Sequence, residues 1–239
     1  MIDNRTNSFT ALDFANGEVI LVDKPSGWTS FKVVHQIRKA VKVKKVGHAG
    51  TLDPLATGLL IIATGNKTKE LSKYQSLNKT YTGSFLLGKT SASMDTETDL
   101  TDHPVPEKLD KELILSIRDE FLGECKQVIP MYSAAKINGK KLYNLARKGI
   151  EVEREPRKIL IEKFDIIEIN IPKIKFEITC SKGTYIRAIA HDFGEKLGSG
   201  AVLSKLRRTK IGEFNIENAL RVEDFLEKVL NSETVSAYN

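Results

Sequence analysis

Cysteine is nearly absent from this chain of 239 residues, which contains only Cys125 and Cys180. Two cysteines so far apart in sequence indicate neither the disulfide framework of a small secreted protein nor a cysteine-based metal site. Unpaired thiols are typical of proteins that work in a reducing compartment. We therefore expect a cytoplasmic protein.

Long apolar runs and clustered metal ligands are also missing. No stretch approaches the roughly 20 apolar residues that a transmembrane helix needs, and residues 1–17 lack the apolar segment of a signal peptide. The histidines at positions 35, 48, 103 and 191 show no spacing typical of a metal site. The sequence therefore predicts a soluble protein with no membrane association and no metal.

What is present is the composition of an ordinary globular protein, with 41% hydrophobic and 28% charged residues. The length suits one large domain or two small ones. The formal net charge of +6 permits a polyanionic partner such as RNA but does not require one.

The order of apolar patterns favours an α+β fold, because strands and helices interleave irregularly and several strands follow one another directly. Period-2 alternation and β-branched runs predict strands at 18–23, 59–63, 79–87, 132–137, 157–171, 173–180 and 205–211. Helical spacing predicts helices at 29–41, 67–75, 106–122, 140–148, 184–197 and 222–230, and Asn138-Gly139 indicates a hairpin turn. Inward-facing positions are expected at Phe31, Val34, Ile37 and Val41 of the first helix and at Leu109, Leu113, Ile117 and Phe121 of the third.

Two short segments match known ligand-binding motifs, but their surroundings do not fit those motifs. Residues 83–90 fit the P-loop expression, but Phe85-Leu86-Leu87 continues a strand where a flexible loop is required, and an acidic loop follows. Asp95 begins a calcium-loop pattern that lacks the required glycine and glutamate further along. We interpret both matches as coincidence.

The most informative stretch is 44–66, KKVGHAGTLDPLATGLLIIATGN, in which glycines and Pro54 surround His48, Thr51 and Asp53. Glycines allow a backbone to approach a ligand closely, and Pro54 excludes Asp53 from the helical region. This favours a stiff, extended loop that carries a functional carboxylate. Spacing alone supports equally well a tight turn in which Asp53 only bonds its own backbone.

The segment GHAGTLDPLATG resembles the signature loop of the pseudouridine synthases, in the bacterial branch that modifies the TΨC-loop uridine of tRNA. Further segments match in the same order and bring the resemblance to roughly residues 18–212, which is far more specific than one motif. They are KTY at 79–81, DT at 95–96, PMYSA at 130–134, SKGTYIR at 181–187 and LRR at 206–208.

The resemblance implies a pseudouridine synthase fold with a central mixed, mostly antiparallel sheet flanked by helices. We expect a single catalytic domain over residues 1–239, with an RNA-gripping insertion at about 124–153. Many family members continue into a small C-terminal RNA-binding domain of the PUA type. That domain is expected to be absent, because the chain stops at Asn239 after an acidic final stretch.

The resemblance also assigns chemistry. Asp53 is the nucleophile that breaks the C1′–N1 glycosidic bond of a flipped-out uridine before the base rejoins through C5. Whether Asp53 attacks C1′ or C6, or promotes an elimination, stays open. No redox change or hydrolysis occurs, so no cofactor is expected.

Six further positions are carried over. Arg187, with its acidic partner Asp95, keeps Asp53 charged, and Tyr81 stacks on the uracil and joins proton transfer. His48, Leu206 and Tyr185 contact the substrate. The structural alternatives are a core aromatic for Tyr81, an exposed helical arginine for Arg187, a core leucine for Leu206 and a solvent-exposed histidine for His48. Arg207, Arg208 and Lys210 are expected either to contact phosphate or to face solvent.

The leading interpretation is therefore a monomeric tRNA pseudouridine synthase that binds the TΨC stem-loop. The alternative from another class is a tRNA-binding folding helper, an RNA chaperone, in which the chemistry is secondary or lost. A synthase that works only within a guide-RNA particle, a nucleotide or glycoside hydrolase and a P-loop NTPase are weaker alternatives.

Overall fold

The computed structural model describes residues 1–137 and 139–237. Its strands are Val19–Lys24 (β1), Val46–His48 (β2), Thr57–Thr64 (β3), Lys79–Leu87 (β4), Lys89–Thr90 (β5), Thr101–Asp102 (β6), Gly123–Gln127 (β7), Lys136–Ile137 (β8), Lys140–Lys141 (β9), Arg157–Asn170 (β10), Lys173–Cys180 (β11), Ala201–Ile211 (β12), Phe214–Asn215 (β13) and Leu220–Arg221 (β14). Its helices are Ser30–Val41 (α1), Leu71–Ser76 (α2), Lys111–Asp119 (α3), Leu142–Ala146 (α4), Ile186–Lys196 (α5) and Val222–Ala237 (α6), with 3₁₀ turns at Gly65–Glu70 and Ile216–Asn218.

The fold is mixed α+β, as predicted. Most strand pairings are antiparallel, including β1 with β3 and β10 with both β7 and β11. The β1–β14 and β3–β12 pairings are parallel. The chain divides into two compact units, residues 1–81 with the described residues from 207 onward, and residues 82–206.

The first unit is built on β1 and β3, which are buried on both faces. Successive side chains of a strand point to opposite faces, so Ile20 and Val22 enter one core, with side chains of α1 and α6, and Val19 and Leu21 enter another, with Tyr74 of α2. Burial on both faces explains why these strands read as continuous apolar runs instead of alternating patterns.

The second unit is built on the long hairpin of β10 and β11. Its core is a cluster of phenylalanine rings in which neighbouring centroids lie 4.3–6.3 Å apart, and every pair except the 4.3 Å one falls within the favourable range of about 4.5–7 Å. The rings belong to Phe85, Phe121, Phe164, Phe176 and Phe193. Residues 83–87 lie within β4, which confirms that the P-loop match is coincidental.

Several sequence predictions need correction. Phe31 is 67% exposed, because Val33 takes the inward position beside Val34 on α1. The third helix is shorter than 106–122, because the Asp110 carboxylate accepts the Leu113 N–H at 2.8 Å and so sets its start. Leu113 itself is 40% exposed.

Of the strand expected at 132–137, only β8 is present. The predicted Asn138-Gly139 turn includes Asn138, which lies outside the described residues. Residues 1–17, for which the sequence predicts no helix or strand, place Ile2 and Phe9 in the core of the first unit. Among the described residues, no helix combines the length and apolarity that crossing a membrane requires.

Candidate active site

The residue before Asp53 is fixed by α1. Thr29 caps this helix by accepting the Lys32 N–H at 3.0 Å, which leaves the hydroxyl of Ser30 available to the loop. The Ser30 Oγ accepts the N–H of Leu52 at 2.9 Å and donates to the Leu52 carbonyl at 3.2 Å. One buried hydroxyl therefore satisfies both backbone groups of Leu52, and it holds the loop where Asp53 begins.

The residue after Asp53 is fixed by the turn that follows β1. The Pro54 carbonyl accepts the Gly27 N–H at 2.9 Å and the ammonium of buried Lys24 at 3.3 Å. The Asp53 backbone carbonyl accepts the Ala56 N–H at 3.1 Å, so the main chain turns directly after Asp53. The half-buried Asp53 thus projects from a backbone that is anchored on both sides.

Arg208 supports the same loop from β12. Its guanidinium is buried and donates to the carbonyls of Leu59 at 2.7 Å and Gly50 at 3.2 Å. Gly58 adopts φ +106°, and a Cβ there would lie 2.3 Å from the Arg208 carbonyl oxygen, so only glycine fits. The expectation that Arg208 contacts phosphate or faces solvent is therefore wrong.

Arg207 and Lys210, the other basic residues in this part of β12, have different environments. Arg207 forms an ion pair with Asp23, with nitrogen–oxygen distances of 3.1 and 2.6 Å. Lys210 is exposed, which agrees with one of the two expectations for it. Alternation along β12 places Arg207 on the opposite face of the strand from the buried Arg208.

His48 ends β2 and is half-buried. Burial, followed by the positive charge of Arg208, holds its pKa below the ordinary value for histidine. Its Nδ1 is buried without a hydrogen-bond partner among the described residues. His48 is therefore a neutral ring near neutral pH, not a histidine fully exposed to water.

Tyr81 lies buried on β4, two residues after Lys79. The Lys79 ammonium donates to the carbonyls of Gln75 at 2.6 Å and Leu77 at 2.5 Å. These are the carbonyls that α2 leaves unsatisfied at its C-terminus. The lysine of the KTY motif thus ties α2 to the start of the strand that carries Tyr81.

In the second unit, Arg187 and Asp95 meet at Ser93. The Arg187 guanidinium donates to the carbonyls of Ser93 at 3.2 Å and Tyr132 at 2.6 Å. The Asp95 carboxylate accepts the Ser93 hydroxyl at 2.5 Å and the Glu97 N–H at 3.0 Å. Both Arg187 and Asp95 are 2% exposed, so the alternative of an exposed helical arginine is wrong.

Tyr185 stands at the start of α5. It is the N-cap residue, whereas Thr184, where the sequence predicts the helix to begin, donates its hydroxyl to the Ser181 carbonyl at 3.0 Å. The Tyr185 ring centroid lies 5.2 Å from the Arg187 guanidinium carbon and 4.9 Å from that of Arg157. Tyr185 therefore touches a predicted catalytic residue, whereas Leu206 lies half-buried on β12.

The structural roles of Ser30, Arg208 and Gln127 were not predicted from the sequence. The buried side-chain amide of Gln127 bonds both backbone groups of Tyr185, at 2.8 and 3.0 Å. No local pattern signals these roles, because each partner is at least 22 residues away in sequence. Within the described residues, no group of three or more histidine, cysteine, aspartate or glutamate side chains is placed to hold a metal ion.

Two protein-family models match this chain. Residues 38–186 match the N-terminal domain model of the TruB family pseudouridylate synthases, and residues 187–237 match the tRNA pseudouridylate synthase B C-terminal domain. The chain therefore belongs to the TruB family of pseudouridylate synthases, which are isomerases.

Individual relatives agree. The chain is 45% identical over 222 residues to tRNA pseudouridine synthase B of Phocaeicola vulgatus, covering 90% of this chain and 94% of that protein. It is 48% identical over 222 residues to the protein of that name from Chloroherpeton thalassium, covering 91% and 92%. A solved H/ACA ribonucleoprotein bound to a substrate RNA containing 2′-deoxyuridine has a TM-score of 0.67 and 27% identity, covering 90% of this chain and 53% of that one.

Proposed function

We propose that this chain converts the TΨC-loop uridine of tRNA to pseudouridine, with Asp53 as the nucleophile. The observation that carries the proposal is the anchoring of Leu52 and Pro54 on either side of Asp53. A carboxylate held in this way is already positioned for the reaction, so less conformational entropy is lost when it approaches the reacting carbon. The tRNA substrate is supported by the names of relatives that align with almost the whole chain.

The reaction exchanges a C1′–N1 bond for a C1′–C5 bond. The uridine is flipped out of its stack, and the Asp53 carboxylate acts at C1′, at C6 or by promoting an elimination. The freed uracil turns, C5 bonds to C1′, any bond formed to the Asp53 carboxylate breaks and regenerates the free carboxylate, and the proton lost from C5 is balanced by one gained at N1. In this scheme Tyr81 stacks on the base, and Arg187 supplies positive charge.

The insertion at 124–153 is proposed to contact the RNA backbone. It contains a cleft of about 520 Å³ lined by four lysines together with Asn144. The lysines are Lys136, Lys140, Lys141 and Lys148. Lysine contacts to phosphate release counterions, so binding is expected to weaken as salt increases.

The test uses the protein alone with tRNA transcripts that carry tritium at C5 of uridine. We expect tritium release from a normal transcript and none from a transcript with cytidine at the TΨC-loop position. Binding without release would favour the folding-helper function instead. Equal release from both transcripts would contradict the proposed position, and release only after a guide RNA is added would indicate a guide-dependent enzyme.

A further inference from the structure

We propose that Gln127 is a positioning residue for Arg187 and acts through Tyr185. The inference rests on the proposed function, in which Arg187 serves the reaction. Gln127 ends β7, is 3% exposed and lies 58 residues from Tyr185 in sequence. All three residues belong to the second unit.

The first step of the argument is the hydrogen bonding of the Gln127 amide. Its Oε1 accepts the Tyr185 N–H at 2.8 Å, and its Nε2 donates to the Tyr185 carbonyl at 3.0 Å. The Gln127 side chain thus bonds both the N–H and the carbonyl of Tyr185, as a residue on a neighbouring antiparallel strand would. This requires one donor and one acceptor at fixed spacing, which glutamine supplies and glutamate at neutral pH does not.

The second step concerns how α5 begins. Tyrosine is not among the residues that cap helices well, and the Tyr185 side chain makes no capping hydrogen bond. The Tyr185 carbonyl accepts both the Ile189 N–H of the helix, at 3.2 Å, and the Gln127 amide. The place where α5 starts is therefore set by Gln127.

The third step connects that start to Arg187, the second residue of α5. The Tyr185 ring packs beside the Arg187 guanidinium, with 5.2 Å between centroid and Cζ. On the same ring lies Arg157, whose Nε and Nη2 are buried without hydrogen-bond partners among the described residues. Arg157 therefore acts here by packing, and the backbone of Tyr185 takes its hydrogen bonds from Gln127.

The variant Gln127→Glu tests the inference with almost no change in shape. At neutral pH a carboxylate oxygen would face the Tyr185 carbonyl oxygen, where an N–H now donates, and would repel it. Protonation of the glutamate restores a donor. The cavity of about 190 Å³ beside Gln127 also presents five ionisable groups, which are Glu120, Cys125, Lys126, Asp192 and Lys196. Burial raises the pKa of the Asp192 carboxyl and would raise that of the introduced glutamate, but Arg157, its partner across the β7–β10 ladder, would lower it. The glutamate is therefore expected to be ionised at neutral pH, where the repulsion acts.

The experiment compares the wild type, Gln127→Glu and the matched control Gln36→Glu, which lies on α1 in the first unit. At about pH 8 we expect kcat for tritium release from tRNA to fall about 10- to 100-fold in Gln127→Glu, as for a small misplacement of a catalytic group. We expect tRNA affinity and circular dichroism to stay unchanged. A fall in kcat with unchanged affinity and folding is the signature of a misplaced catalytic group, which a purely structural role would not produce.

Wild-type kcat for Gln127→Glu would overturn the inference, as would a loss of kcat that equals the loss of folded protein. The control Gln36→Glu should follow the wild type throughout. A wild-type protein that releases no tritium would instead refute the proposed function, so the two failures are distinguishable.

Discussion

The signature loop around Asp53 and the lysine-rich part of the insertion, residues 136–150, are built in opposite ways. The loop is held by buried side chains that bond its backbone, from Ser30, Lys24 and Arg208. In the described part of 136–150, by contrast, Leu142 is the only buried residue, and the lysines are exposed. Buried hydrogen bonds favour one fixed geometry, which chemistry needs, whereas exposed lysines adapt to a polyanion.

The largest effect is expected on the loop side of this comparison, from Arg208→Lys. Lysine lacks the planar fork that reaches both the Leu59 and Gly50 carbonyls. We expect the free energy of unfolding to fall by about 2–4 kcal/mol, because charged hydrogen bonds in a buried site are removed. Urea unfolding monitored by circular dichroism measures this change.

The adjacent Arg207→Lys is the control for that variant. Its ion pair with Asp23 is partly exposed, so the cost should be below about 1 kcal/mol. Equal losses for the two variants would show that burial of Arg208 does not stabilise the loop.

Ser30→Ala should have the next largest effect. It leaves the buried Leu52 N–H without its partner, which costs about 1–3 kcal/mol. Because Leu52 precedes Asp53, kcat for tritium release should also fall, by about tenfold. Ser26→Ala is the matched control, since that exposed hydroxyl makes only a 3.5 Å contact with the Leu55 carbonyl. If Ser26→Ala lowered kcat as much, anchoring by Ser30 would not be the cause.

Neutralising lysines of the insertion should leave chemistry unchanged. For Lys140→Gln with Lys141→Gln we expect weaker tRNA binding, and the slope of affinity against salt should decrease by about one for each phosphate that is no longer neutralised. The value of kcat at saturating tRNA should be unaffected. Filter binding across a salt series measures the affinity and its slope. Lys163→Gln, which removes ion pairs with Asp165 and Glu177, should not alter tRNA binding. A fall in kcat with unchanged binding would place these two lysines in the chemical step.

The smallest effect concerns His48. Its pKa is lowered in the folded state, so the unfolded chain binds a proton first as pH falls through the ordinary histidine value of about 6.5. The wild type should therefore lose stability as pH decreases below that value. In His48→Gln this contribution disappears, so the urea midpoint should change less between about pH 7.5 and about pH 5. His35→Gln, at an exposed position, should retain the wild-type pH dependence, and equal behaviour of the two variants would contradict the account.

Much of the fold followed from local patterns. Strands β1, β3, β4, β10 and β11 were predicted within two residues at each end, because apolar runs and alternation report directly on burial. Leu113 was misplaced because helical spacing alone does not show where a helix begins, which Asp110 decides. Elements near the insertion were too short for their periodicity to be informative.

The site was predictable to the extent that motifs carry it. The convergence of Arg187 and Asp95 on Ser93 supports their predicted partnership. The burial of Arg208 was not predictable, because its partners are carbonyls 149 and 158 residues away. Gln127 and Ser30 were missed for the same reason, since side chains that bond distant backbone leave no spacing signal.

The central claim is that Asp53 is the nucleophile on an anchored loop. Its most direct test is single-turnover release of C5 tritium from tRNA by Asp53→Asn, with tRNA binding and circular dichroism measured on the same preparation. Because the loop is held through its main chain, the variant should fold and bind tRNA as the wild type does, yet release tritium at least about a thousandfold more slowly. Release at a rate near that of the wild type would contradict the claim.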